Sequence, residues 1–207
     1  MRLIDISPLV SERIAVWPGD VPYRRSKSLE IAEGHNIDLS SHSTTVHLGA
    51  HADAPSHYLA GGASIAARSL DYYYGPCQVL EVRLPRGARI RPQDLSEPLR
   101  APRVLFKTGS FPDPERWNAD FNSLSPELVD AVHAAGGVLV GIDTPSVDPQ
   151  DDAELLSHQA LGRHDMANLE GLLLEHVTPG LYTLAAFPLK LEGTDAAPVR
   201  AVLIADR

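Results

Sequence analysis

The chain has 207 residues, 43% of them hydrophobic, which suits one large domain spanning residues 1–207 better than two small ones. Its 27 acidic against 18 basic residues leave a formal charge of −9, and no basic run exceeds Arg24-Arg25, so nucleic acid and anionic membranes are excluded as expected partners. A single cysteine, Cys77, excludes an internal disulfide and a thiolate cluster and fits a reducing compartment.

The first residues, Met1–Val10, lack a basic head followed by a long apolar run and read as a first strand rather than a signal peptide. No apolar stretch approaches roughly 18 residues, the length of a membrane span. The expectation is a soluble, cytoplasmic protein. The 17 prolines and 15 glycines are scattered along the chain and cut it into short elements. In chain order the pattern predicts strands at Arg2–Ile6, Ser43–His47, Cys77–Arg83 and Arg103–Lys107, each rich in Val, Leu, Ile or Tyr and bounded by turn residues.

The clearest helix follows at Pro126–Ala135, where Ser125 can cap the first turn and Pro126 sits where its missing N–H costs nothing. Gly136-Gly137 end it ahead of a strand at Val138–Ile142, a helix-to-strand step that predicts an α/β segment. A second helix is expected over Ala153–Leu161. The run Leu169–Leu174 fits either a strand or a buried helical turn, and two further strands are expected at Gly180–Ala185 and Val199–Ala205.

Chemistry concentrates in Thr44–Tyr58. His47, His51, Asp53 and His57 fall within 11 residues at odd positions, so an extended chain would point all four side chains the same way. Gly49 and Pro55 argue against a helix there and stand where a bend is tolerated. At about 3.3 Å per residue, His51 and Asp53 lie about 6.6 Å apart along a strand and can converge on one ion, whereas His47 and His57 join only if the chain bends. Imidazole and carboxylate donors without thiolates suit zinc, manganese or iron in a catalytic site. Most of the other histidines have an ordinary surface or core role. A carboxylate elsewhere could bridge a second ion, and spacing does not select among Asp143, Asp148, Glu154, Asp165 and Glu170; each, taken singly, reads as a solvated charge.

The run His47-Leu48-Gly49-Ala50-His51-Ala52-Asp53-Ala54-Pro55-Ser56-His57 resembles the H-x-G-[TA]-H-x-D-x-P-x-H signature of the cyclase-like metal-dependent hydrolases. The likeness extends to Asp5–Pro8, Val16–Asp20, Gly141–Pro149 and Pro188–Asp195, and these later stretches resemble the kynurenine formamidase branch. This chain has Ala50 where many members carry Thr, and Ser56 where an apolar residue is common.

The resemblance implies an α/β fold: one compact domain with a β-barrel-like mixed sheet flanked by helices, of the swivelling β/β/α type, usually a homodimer. It implies two divalent metal ions per subunit, zinc foremost with manganese and iron as alternatives. One would be held by His47, His51, Asp53 and Glu170, the other by Asp53, His158 and Glu170. It further implies His57 as a non-ligand acid/base and Trp17 as a wall of an aromatic pocket. The implied reaction is arylformamidase chemistry: hydrolysis of N-formyl-L-kynurenine to L-kynurenine and formate by a metal-activated hydroxide. Opening of a cyclic amide such as isatin, or metal binding without catalysis, are the alternatives.

Overall fold

Arg103–Lys107 and Leu139–Ile142 are the longest of the strands buried along their whole length, and the rest of the chain is arranged around them. Their near-continuous apolar composition is what a parallel strand covered on both faces requires. The computed structural model describes residues 1–205. Its strands run in chain order β1 (Arg2–Asp5), β2 (Arg24–Leu29), β3 (Leu39–Ser43), β4 (His51–Asp53), β5 (Tyr74–Glu81), β6 (Arg89–Ile90), β7 (Arg103–Lys107), β8 (Ser123–Leu124) and β9 (Leu139–Ile142), then β10 (Ala167–Leu169), β11 (Gly180–Ala185), β12 (Ala196–Pro198) and β13 (Val202–Ala205). Helix α1 (Pro126–Ala134) precedes β9, and α2 (Leu156–His164) joins β9 to β10.

Seven strands form one mixed sheet in the order β1-β13-β11-β5-β7-β9-β10. Pairing is antiparallel from β1 to β5 and parallel from β5 to β10. Both helices pack on one face, where Leu128, Val132 and Leu161 meet Val104, Phe106, Val140 and Ile142. The opposite face, with Val79, Leu105, Leu139 and Leu184, is covered by the short ladder of β4 and β12 through Ala52 and Ala197.

That ladder curls the sheet over on itself. Beyond the end of β10, Glu170 and His51 exchange backbone hydrogen bonds of 3.0 and 3.1 Å, and past β12 Val199 bridges to Pro188 after β11. The result is the expected mixed α/β architecture with barrel-like closure, and it places β4 across the carboxyl side of the parallel strands. Among the described residues no helix is long and apolar enough to cross a membrane.

Helix α1 starts as the sequence predicts: Ser125 Oγ accepts the Leu128 N–H at 3.2 Å. The second helix is displaced, beginning at Leu156 rather than Ala153 and running on to His164. Asp152 and Asp148 take up the free N–H groups at its start, a long-range and short-range capping that local propensity does not register. The predicted strand Ser43–His47 is also not formed beyond Ser43, which ends β3; Thr45 instead donates its N–H to Val21 and the chain turns. In the ambiguous Leu169–Leu174 run, β10 ends at Leu169 and the chain bends at Gly171. The ribbon of β2 and β3 and the short strands β4, β6, β8, β10 and β12 carry no strong periodicity of their own.

Candidate metal centre

The segment from His47 to His57 is not one extended strand. Only His51–Asp53 is a strand; the chain bends at Gly49, with φ of +55°, and Pro55–His57 forms a single 3-10 turn where the sequence argues against helix. Pro55 opens that turn, a position that needs no N–H donor. These two bends bring the outer histidines back toward the strand: the His47 ring lies 5.1 Å from that of His51 and 4.4 Å from that of His57.

Gly171 locks the loop in place. It adopts φ of +64°, and a Cβ there would stand 2.1 Å from the Gly49 carbonyl oxygen. Only glycine allows the chain after Glu170 to approach so closely.

Two carboxylates, Asp53 on β4 and Glu170 just beyond β10, divide the centre into two groups of donors. On one side Asp53 Oδ1 lies 3.0 Å from His47 Nδ1 and 3.5 Å from His51 Nε2, and Glu170 Oε2 lies 3.3 Å from His51 Nε2. On the other side His158 Nε2, from α2, lies 3.3 Å from both Asp53 Oδ2 and Glu170 Oε1. Asn168 on β10 donates to those same two oxygens, at 2.6 and 3.1 Å. The Val147 N–H also donates to Glu170, at 2.9 Å.

The outward nitrogen of each of these three histidines is already used. His51 Nδ1 donates to the Gly49 carbonyl at 2.9 Å, His158 Nδ1 to Asp148 at 2.8 Å and His47 Nε2 to Asp195 at 3.1 Å. Each therefore presents its other nitrogen inward, the arrangement that orients a metal-ligating histidine. His51 Nε2 and Asp53 Oδ1 are close but not aligned as hydrogen bonds, so both are buried polar atoms without a partner.

Unpartnered buried atoms of this kind are costly unless something else satisfies them. Donors about 2.0–2.2 Å from a tetrahedral ion stand about 3.3–3.6 Å apart, close to the separations found on both sides of Asp53. The donor set fits divalent cations.

The electrostatics point the same way. Burial opposes the charge on His47, but the Asp53 carboxylate beside it, helped by Asp195, pushes its pKa up to about 9. His158 is likewise raised, against burial, by Asp148, Asp53 and Glu170. Asp53 is held well below the usual carboxylate range by His158 and His47 despite its burial, and Glu170 is lowered against both burial and the Asp53 charge by His158 and His51.

His57 stands at the edge, about a third exposed, with Nδ1 3.1 Å from Asp195 Oδ2. The same oxygen receives His47. A cavity of about 450 Å³ opens over these groups; its lining includes His47, His51, His57, His158 and Glu170, together with Trp17, Phe111 and Trp117. Trp17 opens a turn closed by its own carbonyl and the Asp20 N–H at 2.9 Å, and packs edge-on against Trp117 with ring centroids 5.2 Å apart.

Every predicted site residue therefore lies in or around one cavity. Among the five acids left open by spacing, Glu154 and Asp165 are exposed, whereas Asp143, Asp148 and Glu170 are buried, contrary to the solvated reading. Asp148, Asn168, Asp195, Phe111 and Trp117 were not singled out for the site. A signal existed for two of them, since Asp148 and Asp195 fall within stretches that carry the family resemblance.

Residues 4–149 match the family described as "Putative cyclase". The kynurenine formamidase of Bordetella pertussis (strain Tohama I) is 42% identical over 204 residues, covering 98% of this chain and 97% of that protein. A solved "potential metal-dependent hydrolase with cyclase activity" is 27% identical, with a TM-score of 0.83 over 98% of this chain and 96% of the other. Isatin hydrolase A from Labrenzia aggregata shares the fold at 20% identity, with a TM-score of 0.81 over 99% and 94% of the two chains. The chain belongs to the cyclase family, and its likeness to kynurenine formamidase runs along nearly its whole length.

Proposed function

We propose that this protein is an arylformamidase that hydrolyses N-formyl-L-kynurenine to L-kynurenine and formate. The observation that carries the reading is the 42% identity to a kynurenine formamidase over 98% of the chain. An imidazole and carboxylate centre at an aromatic-lined cavity supports it independently.

His47, His51, Asp53 and Glu170 would hold one divalent ion, and Asp53, His158 and Glu170 a second, zinc being well suited to these nitrogen and oxygen donors. Ions so placed supply Lewis acidity, making a water acidic enough to attack near neutral pH and polarising the formyl oxygen.

The chain's own residues do the rest. Asn168 keeps Asp53 and Glu170 turned toward both donor groups. Asp195 accepts the Nδ1 proton of His57, which leaves Nε2 as the proton-transfer atom. The attacking water gives a proton to His57 as its oxygen bonds to the formyl carbon. His57 then delivers that proton to the aryl nitrogen as the carbon–nitrogen bond breaks, so the amine leaves neutral. Trp17 offers a flat surface for the aryl ketone.

We also assign the homodimer to this reading. The two-stranded ribbon of β2 and β3 is almost wholly exposed on both faces, and such a ribbon is marginal unless it packs against something. Light scattering of the purified protein tests this.

The test of function is an assay of metal-reconstituted protein on N-formyl-L-kynurenine, isatin and formanilide, with elemental analysis of the same sample. Preferred turnover of N-formyl-L-kynurenine with two ions per chain is expected. Fully loaded protein inert on all three would sink the reading.

A further inference from the structure

Leu155 immediately precedes α2 and has φ of 52° and ψ of 52°, in the left-handed region. Among the described residues only Leu155 and Asp165 do this without being glycine. A γ-branched side chain gains nothing from that conformation; Gly, Asn or Asp adopt it more readily, and Ser, Asp or Asn would also cap the helix. Leu155 offers no such cap.

The strain is imposed from outside. Asp152 Oδ1 accepts the Glu154 and Leu155 N–H groups at 2.9 and 3.1 Å, and its Oδ2 accepts that of Leu156 at 3.2 Å. Arg89 pairs with Asp152 and, at 2.8 Å, with Asp148, which in turn holds His158. One guanidinium thus fixes both the strained turn and the histidine three residues further on. The side chain so placed lines the cavity that holds the metal centre and the aromatic wall.

A strained backbone kept in place by an over-determined surrounding, with its side chain in a functional cavity, marks a position where the side chain is what is used. We infer that Leu155 is a specificity-determining residue: it narrows the cavity beside His158 and selects single-ring aryl groups over wider ones. The aryl substrate class rests on the function proposed above.

The test compares Leu155→Gly with wild type, and Leu155→Asn as a second variant that tolerates the left-handed backbone while shortening the side chain. Each is assayed on formanilide and N-formyl-1-naphthylamine, with metal content and Tm recorded. Leu155→Gly is expected to keep its metal and a Tm no lower than wild type, and to shift the naphthyl-to-phenyl ratio of kcat/KM by about tenfold or more toward naphthyl. Leu155→Asn is expected to shift it in the same direction. An unchanged ratio in folded, metal-loaded variants overturns the inference.

Should wild type hydrolyse neither formamide, the functional reading fails only if N-formyl-L-kynurenine is also left intact. Leu155 is then read from binding of 1-naphthylamine and aniline, followed by the fluorescence of the cavity tryptophans. The same shift in relative affinity supports the inference, and its absence overturns it.

Discussion

Asp195 Oδ2 stands 3.1 Å from His57 Nδ1, and a carboxylate at that distance holds the proton of a neutral His57 on Nδ1 and leaves Nε2 free to accept one. The same oxygen is 3.1 Å from His47 Nε2, so Asp195 joins a candidate ligand to the candidate acid/base. Its backbone is held in turn: the Ala54 N–H donates to the Asp195 carbonyl at 2.7 Å, beside the pairing of β4 with β12.

Replacing Asp195 with Ala is expected to lower kcat by about 10- to 100-fold and to weaken metal binding by a similar factor, as loss of a partner behind a ligating histidine typically does. His57→Ala is expected to lose turnover with metal content unchanged. Steady-state kinetics and elemental analysis on the two variants separate the roles. Normal turnover of His57→Ala would remove the proton-transfer assignment.

Asp53 contacts His47, His51 and His158 and is almost fully buried. Asp53→Ala is expected to strip both ions and abolish activity together. Elemental analysis decides the point, and a variant that keeps two ions per chain would contradict a bridging role.

Metal binding is expected to release protons. A ligating imidazole must be neutral, and His47 and His158 are raised in the metal-free protein, His47 to about 9. Asp53 and Glu170, being lowered, are already ionised near neutral pH and contribute no proton. Affinity therefore rises with pH up to about 9 and falls as pH drops below it. Calorimetry in buffers of different ionisation enthalpy counts the protons; an affinity that is flat between about pH 6 and pH 8 would contradict this account.

Gly171→Ala meets two obstacles, a positive φ and a Cβ placed 2.1 Å from a backbone oxygen. A cost of about 3 kcal/mol, equivalent to a Tm lower by about 6–12 °C, is expected from such a clash. Thermal melts measure it directly. Because the loop carrying His47 and His51 is what the added methyl strikes, metal content is expected to fall as well.

Trp17→Ala is expected to raise KM chiefly, since the ring lines the cavity but hydrogen-bonds to none of the polar groups of the centre. Its packing on Trp117 and Phe121 predicts a smaller loss of stability alongside. A variant with unchanged KM and a large fall in Tm would make Trp17 a packing residue alone.

The local pattern was enough to identify β7 and β9, short runs rich in β-branched and other apolar residues and bounded by turn residues, and α1, whose serine cap and proline start are adjacent. It was also enough to single out His47, His51, Asp53 and His57, because their odd-numbered spacing puts them on one side of an extended chain and Gly49 and Pro55 stand where bends can bring the outer two in. His158 and Glu170 came only through family likeness, which supplies placement without giving its physical cause.

Tertiary structure decided the rest. Asp195 reaches His57 because β12 pairs antiparallel with β4, and Glu170 reaches His51 because the chain beyond β10 bridges to it. Such pairings join residues more than a hundred positions apart and leave no periodicity in either partner. Whether a lone acid is a solvated charge or a buried hydrogen-bond partner depends on what packs over it, as Asp148 at the buried start of α2 and Asp165 just past its exposed end illustrate. Sequence therefore determined which residues could perform the chemistry, and long-range strand pairing decided which of them meet.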